Sequence, residues 1–204
     1  MANTPSTRPE LWLIRHGETE WSRSGAHTSF TDLPLTEHGR EQAAALAPVL
    51  AQVQFDLLLT SPRQRAQETA RLAGVHTSAE IELNLQEWNY GEFEGKSTPE
   101  IREALPDWNV WRSPITGGES LPQVAARAQA VIDRCMQHGG RCALFAHAHI
   151  FRILAGVWIG SGNAQGGALG EHLALSTASI SVLGWERDTR VISRWNELPP
   201  ALAN

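Results

Sequence analysis

A mostly parallel central β-sheet with helices on both faces is the architecture this sequence predicts, on three observations. Short apolar, β-branched or aromatic runs alternate with longer stretches of helical periodicity. The chain has 204 residues, enough for a single domain, 1–204, with a full-sized core. Its 42% hydrophobic and 19% charged residues give an ordinary globular balance, not a disordered or fibrous one.

The elements follow in order. A polar tail, residues 1–9, reads as disordered, and Leu11-Trp12-Leu13-Ile14 is the first strand. A helix over residues 37–52 follows from Ala43, Leu46, Ala47 and Leu50, which repeat at three- and four-residue steps, and residues 55–59 form the second strand. Ser61, Pro62 and Gln64 place a capping hydroxyl, a proline at the first helical position and a capping-box glutamine in order, so a helix starts there with Arg63 in its first turn. Residues 80–85 read as a third strand, and residues 97–122 as a lid-like excursion holding one short helix. Ser120 and Gln123 repeat the capping box and open a helix to His138, which Gly139-Gly140 stops. Residues 142–146 are the fourth strand, 150–159 a buried helix and 160–170 a glycine-rich loop. A hairpin, 179–185 with 190–195, closes the chain.

Seventeen Lys+Arg against 22 Asp+Glu leave a net charge of −5, which excludes a general nucleic-acid binder, since phosphate backbones demand clustered cations. Lys96 is the only lysine, so any anion site is built from arginine. Cys135 and Cys142 form neither a C-x-x-C pair nor a zinc set, which fits a reduced, cytoplasmic setting. No stretch approaches the roughly 18 apolar residues of a membrane span, so no membrane partner is expected. Oligomeric state is left open.

In open α/β sheets ligands bind beyond the carboxyl ends of the strands. The first strand runs into Arg15-His16-Gly17-Glu18, the second into Ser61-Pro62-Arg63, the third into Glu87, and the fourth into His147-Ala148-His149. Arg15 and Arg63 offer planar forks suited to a phosphoryl group, with a helix N-terminus beside Arg63. His16 is the expected nucleophile, with the small Gly17 leaving room for in-line approach, and a phosphohistidine would form on it. Arg15, Arg63 and His147 stabilise the equatorial oxygens. Glu87, between Leu85 and Trp88, is the expected proton donor, kept protonated by apolar surroundings, and afterwards the activator of water. His149 and Arg152, three apart on one helical face, are positioned for a second phosphate or a sugar hydroxyl, and Tyr90 offers its hydroxyl. Neither an acidic cluster nor a third zinc ligand is seen, so no metal and no cofactor are expected.

With Leu-Ile-Arg15-His16-Gly17-Glu18-Thr19, Ser61-Pro62-Arg63-x-Arg65-Ala66-x-x-Thr69-Ala70, Glu87-Trp88-x-Tyr90-Gly91-x-x-Glu94-Gly95 and Ala146-His147, the chain resembles the histidine phosphatase superfamily, the phosphoglycerate-mutase-like enzymes, over residues 11–196. The resemblance implies the same roles for His16, Arg15, Arg63, His147 and Glu87. Ser22 stands where the family commonly has Asn, and Thr28-Ser29 where it has Gln-Gly, so these residues are candidates for substrate contact. Trp21-Ser22-Arg23-Ser24-Gly25, Trp108-Asn109-x-Trp111-Arg112 and Phe145-Ala146-His147-x-His149 are most similar to the fungal sedoheptulose-1,7-bisphosphatase branch, which has Gly where this chain has Ala148. The expected substrate is a small phosphorylated metabolite, a sugar phosphate or bisphosphate. A phosphoglycerate-type mutase and a noncatalytic phosphate-binding regulator are the alternatives.

Overall fold

The computed structural model describes residues 8–75, 79–160 and 164–202. Its strands are β1 (Glu10–Arg15), β2 (Leu57–Thr60), β3 (Glu80–Ile81), β4 (Arg141–Ala146), β5 (Ile180–Glu186) and β6 (Thr189–Glu197). They form one sheet in the order β3-β2-β4-β1-β5-β6. Strands β1 to β4 run parallel, whereas β5 pairs antiparallel with β1 and β6 antiparallel with β5. The mostly parallel α/β sheet and the closing hairpin expected from the sequence are both present.

Successive side chains of β1 point to opposite layers. Leu11 and Leu13 pack with Leu59, Val131, Leu144 and Ile150, while Trp12 and Ile14 pack with Leu46, Leu50 and Phe145. The first layer is supplied by α6 (Leu121–His138) and α7 (Ala148–Ile159), the second by α2 (Glu37–Ala45), α3 (Ala47–Leu50) and α4 (Gln64–Leu72). Shorter helices α1 (Glu20–Ser24), α5 (Thr98–Ala104) and α8 (Ala164–Ala168) lie in the connections. Within the 97–122 excursion, Ile101, Trp108 and Trp111 are buried in the same core as Leu144. No helix among the described residues is long and apolar enough to cross a membrane.

Local signals misplace four boundaries. The helix expected over 37–52 divides into α2 and α3, because Pro48 in the first turn of α3 has no N–H to donate. Helix α4 is capped at Arg63, not Ser61: the Asp32 carboxylate accepts from the Gln64 N–H at 2.9 Å, which frees Ser61 for other work. Strand β3 stops at Ile81, since the Glu82 side chain accepts from Asn84 N and turns the chain into a 3₁₀ turn at Leu83–Leu85. The expected glycine-rich loop contains α8 and a 3₁₀ turn at Leu169–His172. A Cβ on Gly156 would sit 2.3 Å from the Gly166 carbonyl oxygen, so these glycines let two backbones touch. Residues 161–163 of that stretch, and 1–7 of the expected tail, lie outside the described residues. Pro9 is not frayed: the Trp185 indole donates to its carbonyl at 3.0 Å, and Arg8 pairs with Asp188.

Candidate active site

His16 leaves the C-terminal end of β1 with its backbone held on both sides. Its N–H donates to the Ala146 carbonyl at 3.0 Å and its carbonyl accepts from Ala178 at 3.1 Å. The ring Nδ1 lies 2.7 Å from the Gly17 carbonyl. A carbonyl only accepts, so Nδ1 carries the proton and the lone pair sits on Nε2. Burial, reinforced by the charges of Arg65 and Arg15, pushes the imidazolium well below its usual range, so the ring is neutral at neutral pH. Gly17 does not serve to make room for substrate, as the sequence suggested. A Cβ there would lie 2.2 Å from the Gly39 carbonyl oxygen, and one on Gly39 would lie 2.1 Å from that of Glu18, so the pair lets α2 abut the His16 turn.

The end of β4 supplies His147, the N-cap residue of α7. Its ring stands edge-on to His16, with centroids 5.2 Å apart. Both of its nitrogens are engaged: Arg65 Nε donates to Nδ1 at 3.1 Å, which leaves the proton on Nε2, 2.7 Å from the Ser61 hydroxyl. Burial first, then Arg65 and His16, keep His147 neutral too. Arg65 is fully buried and spends its other donors on the carbonyls of Thr28, Ser29 and Thr31. Sequence reasoning passed over it for its neighbour. The missed signal was the helical step: Arg65 is four before Thr69, whose hydroxyl accepts from the Gly17 N–H at 3.1 Å, so both face the sheet.

Glu87 lies across the mouth of α7. One oxygen accepts from Trp88 N at 3.0 Å and Ile150 N at 2.9 Å, the other from His149 N at 3.0 Å. Its surroundings are thus less apolar than Leu85 and Trp88 alone suggested, because the helix terminus presents free N–H groups to it. His149 and Tyr90 share a hydrogen bond, Nδ1 to hydroxyl, at 2.7 Å. Burial holds both uncharged, pushing the imidazolium down and the phenol up.

A cavity of about 160 Å³ is lined by Arg15, His16, Glu87, Tyr90 and His149, together with Trp21, Ser22, His27 and Thr28. Arg15 donates to the Leu175 carbonyl, and burial lowers its pKa to about 10, leaving it cationic. Its Nε is buried with no partner among the described residues, and so is that of Arg63. Arg63 donates to the Gln86 side chain at 2.7 Å with its guanidinium over the Phe30 ring. Four expected site residues are absent from the cavity lining: Arg63, His147, Ser29 and Arg152. Ser29 is held by the Glu94 carboxylate through its N–H and hydroxyl, at 2.9–3.0 Å. Arg152 donates to the carbonyls of Gly170 and Glu171 and stacks on Trp111. Neither lines the cavity. Among the described residues, no three His, Cys, Asp or Glu side chains are grouped to hold a metal ion.

A sequence profile described as histidine phosphatase superfamily (branch 1) matches residues 11–198. The chain is 40% identical over 187 residues to an acid phosphatase of Mycobacterium tuberculosis, covering 90% of each. It is 35% identical to the sedoheptulose 1,7-bisphosphatase of Saccharomyces cerevisiae, covering 78% of this chain and 70% of that one. A solved structure of an open reading frame product from Mycobacterium tuberculosis superposes with a TM-score of 0.86 at 36% identity, covering 93% of this chain and 98% of that one.

Proposed function

The chain belongs to the histidine phosphatase superfamily and is a phosphatase, and from that premise we propose that it hydrolyses a small phosphomonoester through a phosphohistidine on His16, without a metal. The observation that carries the reading is the His16 tautomer: the 2.7 Å bond from Nδ1 to the Gly17 carbonyl fixes the lone pair on Nε2 of a ring that lines the cavity.

The phosphoryl group of the substrate occupies the cavity against His16 and Arg15, whose cationic guanidinium suits its anionic oxygens, with the His147 ring packed behind His16. Nε2 of His16 attacks phosphorus as the ester P–O bond breaks, and Glu87 delivers a proton to the departing alcohol oxygen. Water then attacks the phosphohistidine, its proton passes to Glu87, and inorganic phosphate leaves with the ring neutral again. His147 offers the Nε2 proton it now shares with Ser61. Arg65 holds the His147 ring in the tautomer this requires.

The cavity volume, below the roughly 300 Å³ usual for ligand sites, suits a compact leaving group. Ser22, Thr28, Tyr90 and His149 line it without charge, their side chains bonded to Thr19, to Ala26 and to each other, a lining that suits a polyol or sugar better than a second anion. The cavity supports one phosphate rather than two, because Arg152 is already committed and His149 is uncharged. In EDTA, hydrolysis of an aryl phosphate should persist and an acid-labile phosphoenzyme should map to His16. Loss of activity in EDTA, or full activity in His16→Ala, sinks the proposal.

A further inference from the structure

Glu87 can transfer a proton only if its backbone holds still, and the segment around it is a turn, not a strand or helix. That segment is clamped from behind by one ion pair. Arg127, on α6, donates through Nη1 to the carbonyls of Asn84 at 2.8 Å and Gln86 at 2.9 Å, and through Nη2 to that of Glu87 at 3.4 Å. Its Nε and Nη2 also reach the two carboxylate oxygens of Glu119, at 2.7 and 2.8 Å.

Glu119 completes the clamp from the other end of the turn. Its carboxylate accepts from Asn89 N at 2.9 Å, its own N–H donates to the Asn89 carbonyl at 2.9 Å, and its carbonyl accepts from the Trp88 indole at 2.7 Å. Neither Arg127 nor Glu119 lines the cavity. The pair is about four-fifths buried, with side-chain exposures of 19% and 21%. Every backbone group it grips lies between residues 84 and 89, so its contacts converge on the residue that faces the substrate.

We propose that Arg127 and Glu119 are positioning residues for proton transfer by Glu87, an inference that rests on Glu87 being the proton donor. A fork that satisfies three carbonyls and a bidentate carboxylate at once restricts the turn in a way no single hydrogen bond does. Loosening it leaves His16, Arg15 and His147 in place, since they stand at the ends of β1 and β4, and reaches Arg63 only through its bond to the Gln86 side chain. Its main effect falls on the step that needs the acid.

The test compares kcat/KM for two esters, because that ratio ends with departure of the first alcohol. p-Nitrophenyl phosphate releases an acidic phenol that leaves without a proton, whereas glycerol 2-phosphate releases an alkoxide that needs one. Glu87→Gln should lose about 100-fold or more on the glycerol ester and far less on the aryl ester, the size expected for general acid catalysis. Arg127→Met and Glu119→Gln should reproduce that split at roughly 10- to 100-fold. Arg127→Lys, which keeps the charge but loses the fork, should show the same split at smaller size. Inhibition by inorganic phosphate should stay within about twofold of wild type in the Arg127 and Glu119 variants, which a general loss of structure would not allow.

Equal losses on both esters in the Arg127 and Glu119 variants, or no loss on either, overturn this proposal while leaving the Glu87 reading in place. If Glu87→Gln itself shows no split, the proton-donor reading falls first and this inference with it.

Discussion

Gly39→Ala sets helix propensity against the close approach of α2 to the turn after β1. Helix propensity alone favours the substitution: Gly39 lies inside α2, and alanine in a helix is better by about 0.8–1.0 kcal/mol. Packing opposes it. The added Cβ would meet the Glu18 carbonyl oxygen at 2.1 Å and the Glu18 nitrogen at 2.8 Å, both backbone atoms that no side-chain rotation can move. Restoring ordinary van der Waals separation demands a displacement of about 1 Å or more between α2 and the turn after β1. Overpacking of this kind costs about 1–3 kcal/mol, enough to reverse the propensity gain, so the midpoint of thermal unfolding should drop by a few degrees. Gly39 does not line the cavity, but Glu18 is two residues from His16, and a 1 Å displacement of a nucleophile costs about 100-fold in rate. Calorimetry and steady-state hydrolysis of an aryl phosphate read the two effects. A variant as stable as wild type or more so, with unchanged kcat/KM, would show that the close approach is not what the site depends on.

Stability should fall as pH drops below about 6.5, because His16, His147 and His149 are held well below that value by burial, and His27 is lowered to about 4 by the same cause. Their folded pKa values lie below the unfolded one, so the unfolded chain binds protons first. Each residue then contributes a slope of about 1.4 kcal/mol per pH unit, complete above pH 6.5 and lost towards the folded pKa. His27→Gln should remove one share of that slope, and a melting temperature that stays flat from pH 7 to pH 5 contradicts the assignment. Arg65→Met should destabilise by about 3–5 kcal/mol in chemical denaturation, since it strips charged donors from the buried Ser29 carbonyl, the half-buried Thr28 and Thr31 carbonyls and His147. Arg65→Lys should not recover activity, because an ammonium cannot replace the fork; kcat/KM within twofold of wild type would refute the role given to Arg65. A sugar bisphosphate should gain less than about tenfold in kcat/KM over its monophosphate, the least that a charge-assisted contact to the second phosphate would supply. A hundredfold gain would reinstate a second anion subsite.

Much of the site was legible because it is written in short contiguous stretches. Arg15-His16 and His147 follow apolar runs long enough to identify as strands, and a parallel sheet puts such strand ends on one edge. Where the reading slipped, the deciding partner came from a remote part of the chain. Ser61 looks like a helix cap, yet Asp32 supplies a partner for the Gln64 N–H and Ser61 turns to His147. Arg63 and Arg65 are equally good forks in a one-dimensional pattern, and only Thr69 and the packing of α4 decide which is buried. Ser29 reads as a substrate hydroxyl until Glu94, 65 positions away, takes both its N–H and its hydroxyl.

The order of the amino acids therefore determined which residues stand at the strand ends, since hydrophobic periodicity and capping are local properties that neighbouring side chains settle among themselves. The tertiary structure decided which donors remain unspent. A hydrogen-bonding group is available to a ligand only after every other part of the folded chain has had the chance to satisfy it, and that competition takes place in space rather than along the sequence.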